Sequence, residues 1–195
     1  AMTSGRIADI AIHPDNENVW YVAVGSGGVW KTKNSGTTWK AIFENQKVYS
    51  TGCITIDPNN PSTIWLGTGE NVGGRHAGFG DGIYVSHNDG KSWKNMGLEN
   101  SEHLSKIIVH PENSDVIWVA SQGPLWSKGG DRGVYKSING GKTWKRTLGD
   151  SEWVGATDLL IDPTNPDIFN TSVSSITGTN FSLVLFPNKL TIRCL

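Results

Sequence analysis

Two stretches of the sequence concentrate side chains that could do chemistry. GTGENVGGRHAGFGDG at 67–82 carries Glu70, Arg75 and His76, and SQGPLWSKGGDRG at 121–133 carries Trp126, Lys128, Asp131 and Arg132. An aromatic face with a few carboxylates and cations on Gly-rich loops suits a polar ligand, either a sugar or a peptide: the ring stacks and the charges orient. Hydrolysis of a glycosidic bond needs two carboxylates facing each other across a cleft. Glu70 and Asp131 are the pair these loops offer, and nothing in the spacing fixes their separation. The bland alternative is that these charges are loop surface, paired with one another to little effect. The run GENVGG follows a strand but opens no helix, so it fails the context of a phosphate loop. His13 and His110 alternate with Asp57 and Asp162 in one Pro-turn position and read as turn residues, while His87 and His103 read as surface. Neither Cys53 nor Cys194 has a second Cys or a His at ligand spacing, so no metal site or cofactor is expected.

The elements that hold these loops are read from repetition. Trp39, Trp93 and Trp144 each close a nine-residue string, TKNSGTTWK, SHNDGKSWK or SINGGKTWK, at spacings of 54 and 51 residues. Pro14, Pro58, Pro111 and Pro163 mark a second motif of the IDPxNPxxIW kind, at spacings of 44, 53 and 52. Each unit parses into four strand signals; in the second unit they are Cys53–Asp57, Ile64–Thr68, Gly82–His87 and Lys91–Met96. In CITID, Cys53, Thr55 and Asp57 fall on one side of a strand and Ile54 and Ile56 on the other. No segment shows a 3.6-residue apolar period. The expected fold is all-β: a β-propeller of four-stranded antiparallel blades, three to four per chain, forming an incomplete ring. Trp20, Trp65 and Trp118 recur in second strands as blade packing. The Pro turns and the nine-residue strings then share one face, and the two chemistry-bearing loops share the other with the connectors NQKVYS, LENSEHL and GDSEWVGA.

The nine-residue string has a local physical reading. Asn34, Asn88 and Asn139 can bond the backbone two residues on, Gly36, Gly90 and Gly141 can take positive φ, and the Trp covers the turn. The string resembles the Asp-box, or bacterial neuraminidase repeat, with Asn at the Asp position all three times. Together with the IDPxNPxxIW strand pair, the chain looks most like bacterial propellers of the sortilin type. It is also similar to repeats of xyloglucanase-type hydrolases and photosystem assembly factors. The resemblance covers about residues 6–169 and implies the fold more specifically than an activity. A sialidase would need an arginine trio, but Arg146 falls on an outer strand and Arg193 in an atypical tail, leaving Arg6, Arg75 and Arg132 unsupported as a set. The expected function is therefore a non-catalytic binding module. The alternatives are a fragment of a sialidase-like or xyloglucanase-like glycoside hydrolase, and a truncated reading frame without a function of its own.

Residues 6–170 are expected to carry the blades. Residues 171–195 depart from the repeat and form either a hairpin completing the last blade or a segment foreign to it. Four blades at most leave an apolar face and strand edges uncovered, so the expected partner is a second copy closing the ring. With 17 Lys+Arg against 18 Asp+Glu the net charge is −1, which argues against a dedicated nucleic-acid binder. No apolar stretch reaches the length of a membrane span. The resemblance implies a secreted or periplasmic protein, although no signal peptide is visible in these residues.

Overall fold

A computed structural model of the chain describes residues 5–71, 77–149, 151–162, 164–175, 180–186 and 189–194, with only the backbone described for 167–170 and beyond 172. Arg75 and His76 lie outside the described residues. The structure is all-β, an incomplete, propeller-like arrangement of four antiparallel sheets. Sheet I holds β1 (Ile7–Ile12), β2 (Trp20–Val24), β3 (Gly28–Thr32) and β4 (Lys40–Ala41). Sheet II holds β5 (Thr51–Ile56), β6 (Ile64–Thr68), β7 (Ile83–Ser86) and β8 (Lys94–Asn95). Sheet III holds β9 (Leu104–His110), β10 (Asn113–Ser121), β11 (Gly133–Ser137) and β12 (Lys145–Leu148). Sheet IV holds β13 (Val154–Asp162), β14 (Asn165–Ser175), β15 (Asn180–Phe186) and β16 (Lys189–Cys194). Every sheet is a simple meander, and the first strands β1, β5, β9 and β13 approach one another in chain order.

Strand alternation sends side chains to two different neighbours, so β5 and β9 each knit two inter-sheet cores. Ile54 joins Tyr21, Ala23, Val29 and Phe43 between sheets I and II. Cys53, one residue earlier, joins Ile107, Val109 and Trp65 between sheets II and III. Trp118, Ala120, Ala156 and Leu159 fill the space between sheets III and IV. Burial pushes the Cys53 thiol up to about 12, which leaves it an inert packing group. Trp65 and Trp118 are buried as packing residues, but Trp20 is not their counterpart: Tyr21, fully buried, occupies that position in sheet I.

The fourth strands are shorter than the sequence suggests. The stretch read as Lys91–Met96 is a strand only at Lys94–Asn95, because the turn before it consumes the first residues. In that turn Ser86 Oγ accepts the Gly90 N–H at 2.8 Å, Asn88 Oδ1 accepts the Ser92 N–H at 2.9 Å, and Asn88 Nδ2 donates to Ser92 Oγ at 2.8 Å. The same bonds recur through Thr32, Asn34, Gly36 and Thr38, and through Ser137, Asn139, Gly141 and Thr143. Two successive residues take positive φ in each turn: Ser35 and Gly36, Asp89 and Gly90, Gly140 and Gly141. The closing Trp reaches past its own sheet. Trp93 Nε1 donates to the Ile42 carbonyl, and Trp144 Nε1 to the Met96 carbonyl, each at 2.8 Å.

Candidate functional site

The opposite end of the sheets gathers the β6–β7 loop, the β10–β11 loop and the connectors between sheets. A repeated backbone bond fixes this end: Gly25 N–H to Arg6 O, Gly69 N–H to Ser50 O, and Gln122 N–H to His103 O, at 2.8–3.0 Å. Gly69 can come this close because it has φ +83 and no Cβ; a Cβ there would strike the Glu102–His103 backbone.

Glu70 is buried directly after β6. Arg6 Nε donates to its Oε1 at 2.5 Å and Arg6 Nη2 to its Oε2 at 2.6 Å, a bidentate pair spanning sheets I and II. The hydrogen bonds from Arg6 hold the Glu70 carboxyl below the usual range, with burial opposing. Both oxygens are thus engaged, and Glu70 serves as an inter-sheet clamp. His103, read from the sequence as a surface residue, is fully buried. Its Nδ1 lies 2.9 Å from the Glu70 carbonyl, its ring lies against Phe79, and burial holds the imidazole below its ordinary range.

Arg132 is 2% exposed and is turned into its own loop. Its Nε donates to Gly129 O at 2.8 Å, Nη1 to Gln122 O at 3.0 Å, and Nη2 to the carbonyls of Ser127 and Pro124. The guanidinium is the internal frame of residues 122–132, and its fork of donors matches those carbonyls. Trp126, 68% exposed, stands on the outside of that frame. Lys128 reaches Glu152 at 3.4 Å, with both side chains largely in water.

Asp131 faces the connector between sheets II and III. Its Oδ2 accepts the Asn100 N–H at 3.0 Å, and its own N–H donates to Asn100 O at 3.1 Å. Asp131 lines a shallow cavity of about 570 Å³ together with Glu99, Asn100, Glu102, Pro124 and Gly130. Glu102 adopts φ +54, its carbonyl accepts the Gly80 N–H at 2.8 Å, and burial raises its carboxyl above the ordinary range. The structure therefore brings Asp131 together with Glu102 on one cavity, while Glu70 is committed to Arg6. Sequence reasoning placed the connector LENSEHL at this end but did not single out Glu102, His103 or Arg6 as members of its site. The signal present was the acid-rich connector LENSEHL, which carries Glu99, Glu102 and His103. Among the described residues no helix is long and apolar enough to cross a membrane.

No protein-family model matches the chain. In sequence it is 21% identical over 179 residues to a probable oligoxyloglucan-reducing end-specific xyloglucanase of Neosartorya fischeri, covering 82% of this chain and 20% of that protein. In structure it is similar to the GH74 enzyme of Niastella koreensis, with a TM-score of 0.74 and 21% identity, over 95% of this chain and 29% of that one. It is also similar to the GH74 xyloglucanase of Xanthomonas campestris, with a TM-score of 0.70 and 15% identity, over 96% of this chain and 30% of that one. The chain thus spans about a fifth of the curated relative and under a third of these solved structures. These likenesses correct the expectation of a sortilin-type or neuraminidase-repeat propeller: both solved structures just named are GH74 enzymes. They equally overturn the non-catalytic binding module as the leading reading, and favour its glycosidase alternative.

Proposed function

We propose that the chain is a portion of a xyloglucanase-type glycoside hydrolase and that the end built from residues 69–71, 99–103 and 122–132 contacts a β-linked glucan chain. The observation that carries this is the sequence likeness to a xyloglucanase across most of the chain. The site chemistry supports it. Trp126 offers an exposed ring on which a sugar face can stack, held by the Arg132 frame. Glu102 has the raised carboxyl that a general acid needs, and Asp131 supplies a second carboxyl on the same cavity. Glu102 would protonate the leaving glycosidic oxygen as the anomeric C–O bond breaks, and Asp131 would take the proton from the water that attacks the anomeric carbon.

Titration calorimetry with xyloglucan oligosaccharides tests the reading. Binding is expected, weakened about tenfold or more by Trp126→Ala. Glu102→Gln is expected to keep binding and to abolish any release of reducing ends. Absence of binding to xyloglucan oligosaccharides at millimolar concentration would overturn the proposal. We also propose that the chain associates with itself, because sheet I presents Ile10 and Ile12 to solvent. Sedimentation at tens of micromolar checks this second reading.

A further inference from the structure

The second and third strands pair equivalent residues in each of the first three sheets: Tyr21 with Lys31, Trp65 with Val85, and Trp118 with Lys136. Between sheets II and III this position is closed by apolar groups. Trp65 and Val85 are both buried, Trp144 packs edge-on against Trp65 at 6.5 Å, and a Cβ on Gly141 would strike the Trp65 ring. Between sheets I and II the same position is polar. Lys31 is buried, with its ammonium 4.7 Å from the centre of the Tyr21 ring. A lysine over the aromatic partner recurs at Lys136, 4.8 Å from the Trp118 ring, so that contact belongs to the fold. What sheets I and II add is Asp89, from the turn of sheet II, and three further lysines.

Lys31 is only partly compensated. Its Nζ donates to the Asp89 carbonyl at 3.2 Å but stands 3.8 Å from Asp89 Oδ1, beyond hydrogen-bond length. Asp89 Oδ1 instead accepts the Tyr21 hydroxyl at 3.3 Å. Burial holds the Lys31 ammonium below the ordinary lysine range, against the pull of Asp89, and the charges of Lys33 and Lys91 lower it further. These groups line a cavity of about 420 Å³ where β3 and β4 meet the turn of sheet II. Its charged lining is Lys31, Lys33, Lys40 and Lys91 against Glu44 and Asp89, four ammonium groups to two carboxylates and so a surplus of two positive charges. The lining comes entirely from residues 31–46 and 89–93, so the cavity does not depend on what lies against the outer faces of sheets I and IV.

We propose that this cavity binds a small molecule carrying a phosphomonoester, with Lys31 as the enclosed anchor and Lys33, Lys40 and Lys91 around the phosphate. A phosphomonoester carries a charge of about −1.5 to −2 at pH 7, which matches the surplus, and lysine serves phosphate as a point charge. Small-molecule sites run from about 300 to 1,000 Å³, so the cavity has room for a carrier as well as for the phosphate. Asn45 and Gln46 offer that carrier amide hydrogen bonds, and the Trp93 side chain offers it an apolar wall. The cavity shares no residue with the end proposed to contact a glucan and is independent of that reading.

The test is titration calorimetry of the full chain at low ionic strength with ribose 5-phosphate, inorganic phosphate and ribose. Ribose 5-phosphate is expected to bind at submillimolar concentration, inorganic phosphate about tenfold more weakly for want of a carrier, and ribose not at all. Lys91→Gln, at an exposed turn position, and Lys31→Met, apolar as Val85 is in sheet II, should each weaken ribose 5-phosphate about tenfold, with circular dichroism establishing that each variant is folded. If Lys31→Met does not fold, Lys91→Gln decides. Lys142→Gln removes the counterpart of Lys91 from the turn of sheet III and should leave the affinity unchanged. Absence of ribose 5-phosphate binding at millimolar concentration would overturn the proposal, and so would a Lys91→Gln affinity equal to the wild type. Equal losses in Lys91→Gln and Lys142→Gln would also overturn it, since they would mark a diffuse attraction and not a site. Inorganic phosphate binding as tightly as ribose 5-phosphate would overturn the assignment to a carried phosphate.

Discussion

The two ends of the sheets are built on opposite plans. At one end the same turn is made three times, with the same donors and acceptors to within a few tenths of an ångström. At the other end no two loops are alike. The β2–β3 connection is short, the β6–β7 loop is pinned by Glu70 to Arg6, and the β10–β11 loop is wound around Arg132. The repeated end stabilises through local side chain to backbone bonds, which any unit can carry by itself. The variable end stabilises through single polar groups satisfied by distant residues. Removing one residue should therefore cost little and equally at the first end, and much and unequally at the second.

The largest effect is expected at Arg132. Arg132→Met leaves carbonyls of Gly129, Gln122, Pro124 and Ser127 without their shared donor. Unsatisfied buried acceptors cost ~1–3 kcal/mol each, so a loss of about 3 kcal/mol is expected even if some carbonyls find water. Urea unfolding measures it. Arg132→Lys should recover little, because one ammonium cannot reach carbonyls that a planar fork addresses together. A cost below that of a turn asparagine would reverse the contrast between the two ends.

Asn88→Ala and Asn139→Ala come next. Each removes an acceptor for a turn N–H and a donor to a hydroxyl, at a partly solvated site, for about 1 kcal/mol by net hydrogen-bond value. The sharper expectation is that the two costs agree, since the networks are superimposable in bonding. A large inequality between them would mean that the turns draw their stability from the neighbouring sheet and not from themselves.

The same contrast explains what could be read from the sequence. Repetition made the fold legible: spacing of the tryptophans and prolines announced the unit, and CITID announced that Cys53 and Ile54 would enter different cores. The turn chemistry was legible only in part: Asn34, Asn88 and Asn139 accept the N–H four residues on and not two, because the Thr or Ser two residues before each Asn takes the glycine N–H. Gly36, Gly90 and Gly141 signalled one positive φ, while Ser35 and Asp89 adopt the same region without the glycine that would mark it. The variable end was legible as a place and not as a set of roles. Arg132 and Trp126 sit six residues apart on one loop, yet one is enclosed by carbonyls and the other stands in water. His103 occurs once, without a repeated context, and its burial follows from the approach of Gly69 and Phe79 from 24 or more residues away in sequence. Long-range closure of this kind leaves no periodic trace.

His103 and Glu70 give the variable end a pH dependence of its own. Burial depresses the His103 imidazole, so the unfolded chain takes up its proton first as pH falls. Stability from this group is full above about pH 6.5, declines as pH drops through that value, and levels once the folded imidazole also protonates. Glu70 is likewise depressed, through Arg6, and adds a second decline below about pH 4.3. Urea midpoints followed from pH 8 to pH 4 should show the first decline, and His103→Gln should flatten it. A wild-type curve already flat between pH 7 and pH 5 would show that the imidazole is not held neutral.

Lys128 is expected to give the smallest effect and bounds the comparison from below. It lies four residues from Arg132 on the same loop, and both are cations with a defined partner. Lys128 meets Glu152 at 3.4 Å in a pair that is nearly two-thirds exposed on each side. Water screens such a pair, and side-chain ordering offsets its attraction, so Lys128→Ala should cost less than about 0.5 kcal/mol. Adding salt should remove even that difference from the wild type, while leaving the Arg132→Met deficit in place, because the latter arises from enclosed carbonyls and not from a solvated charge. A Lys128→Ala cost that matched Arg132→Met and survived salt would mean that the loop is held from outside, by its contact with Glu152, and not by the guanidinium at its centre.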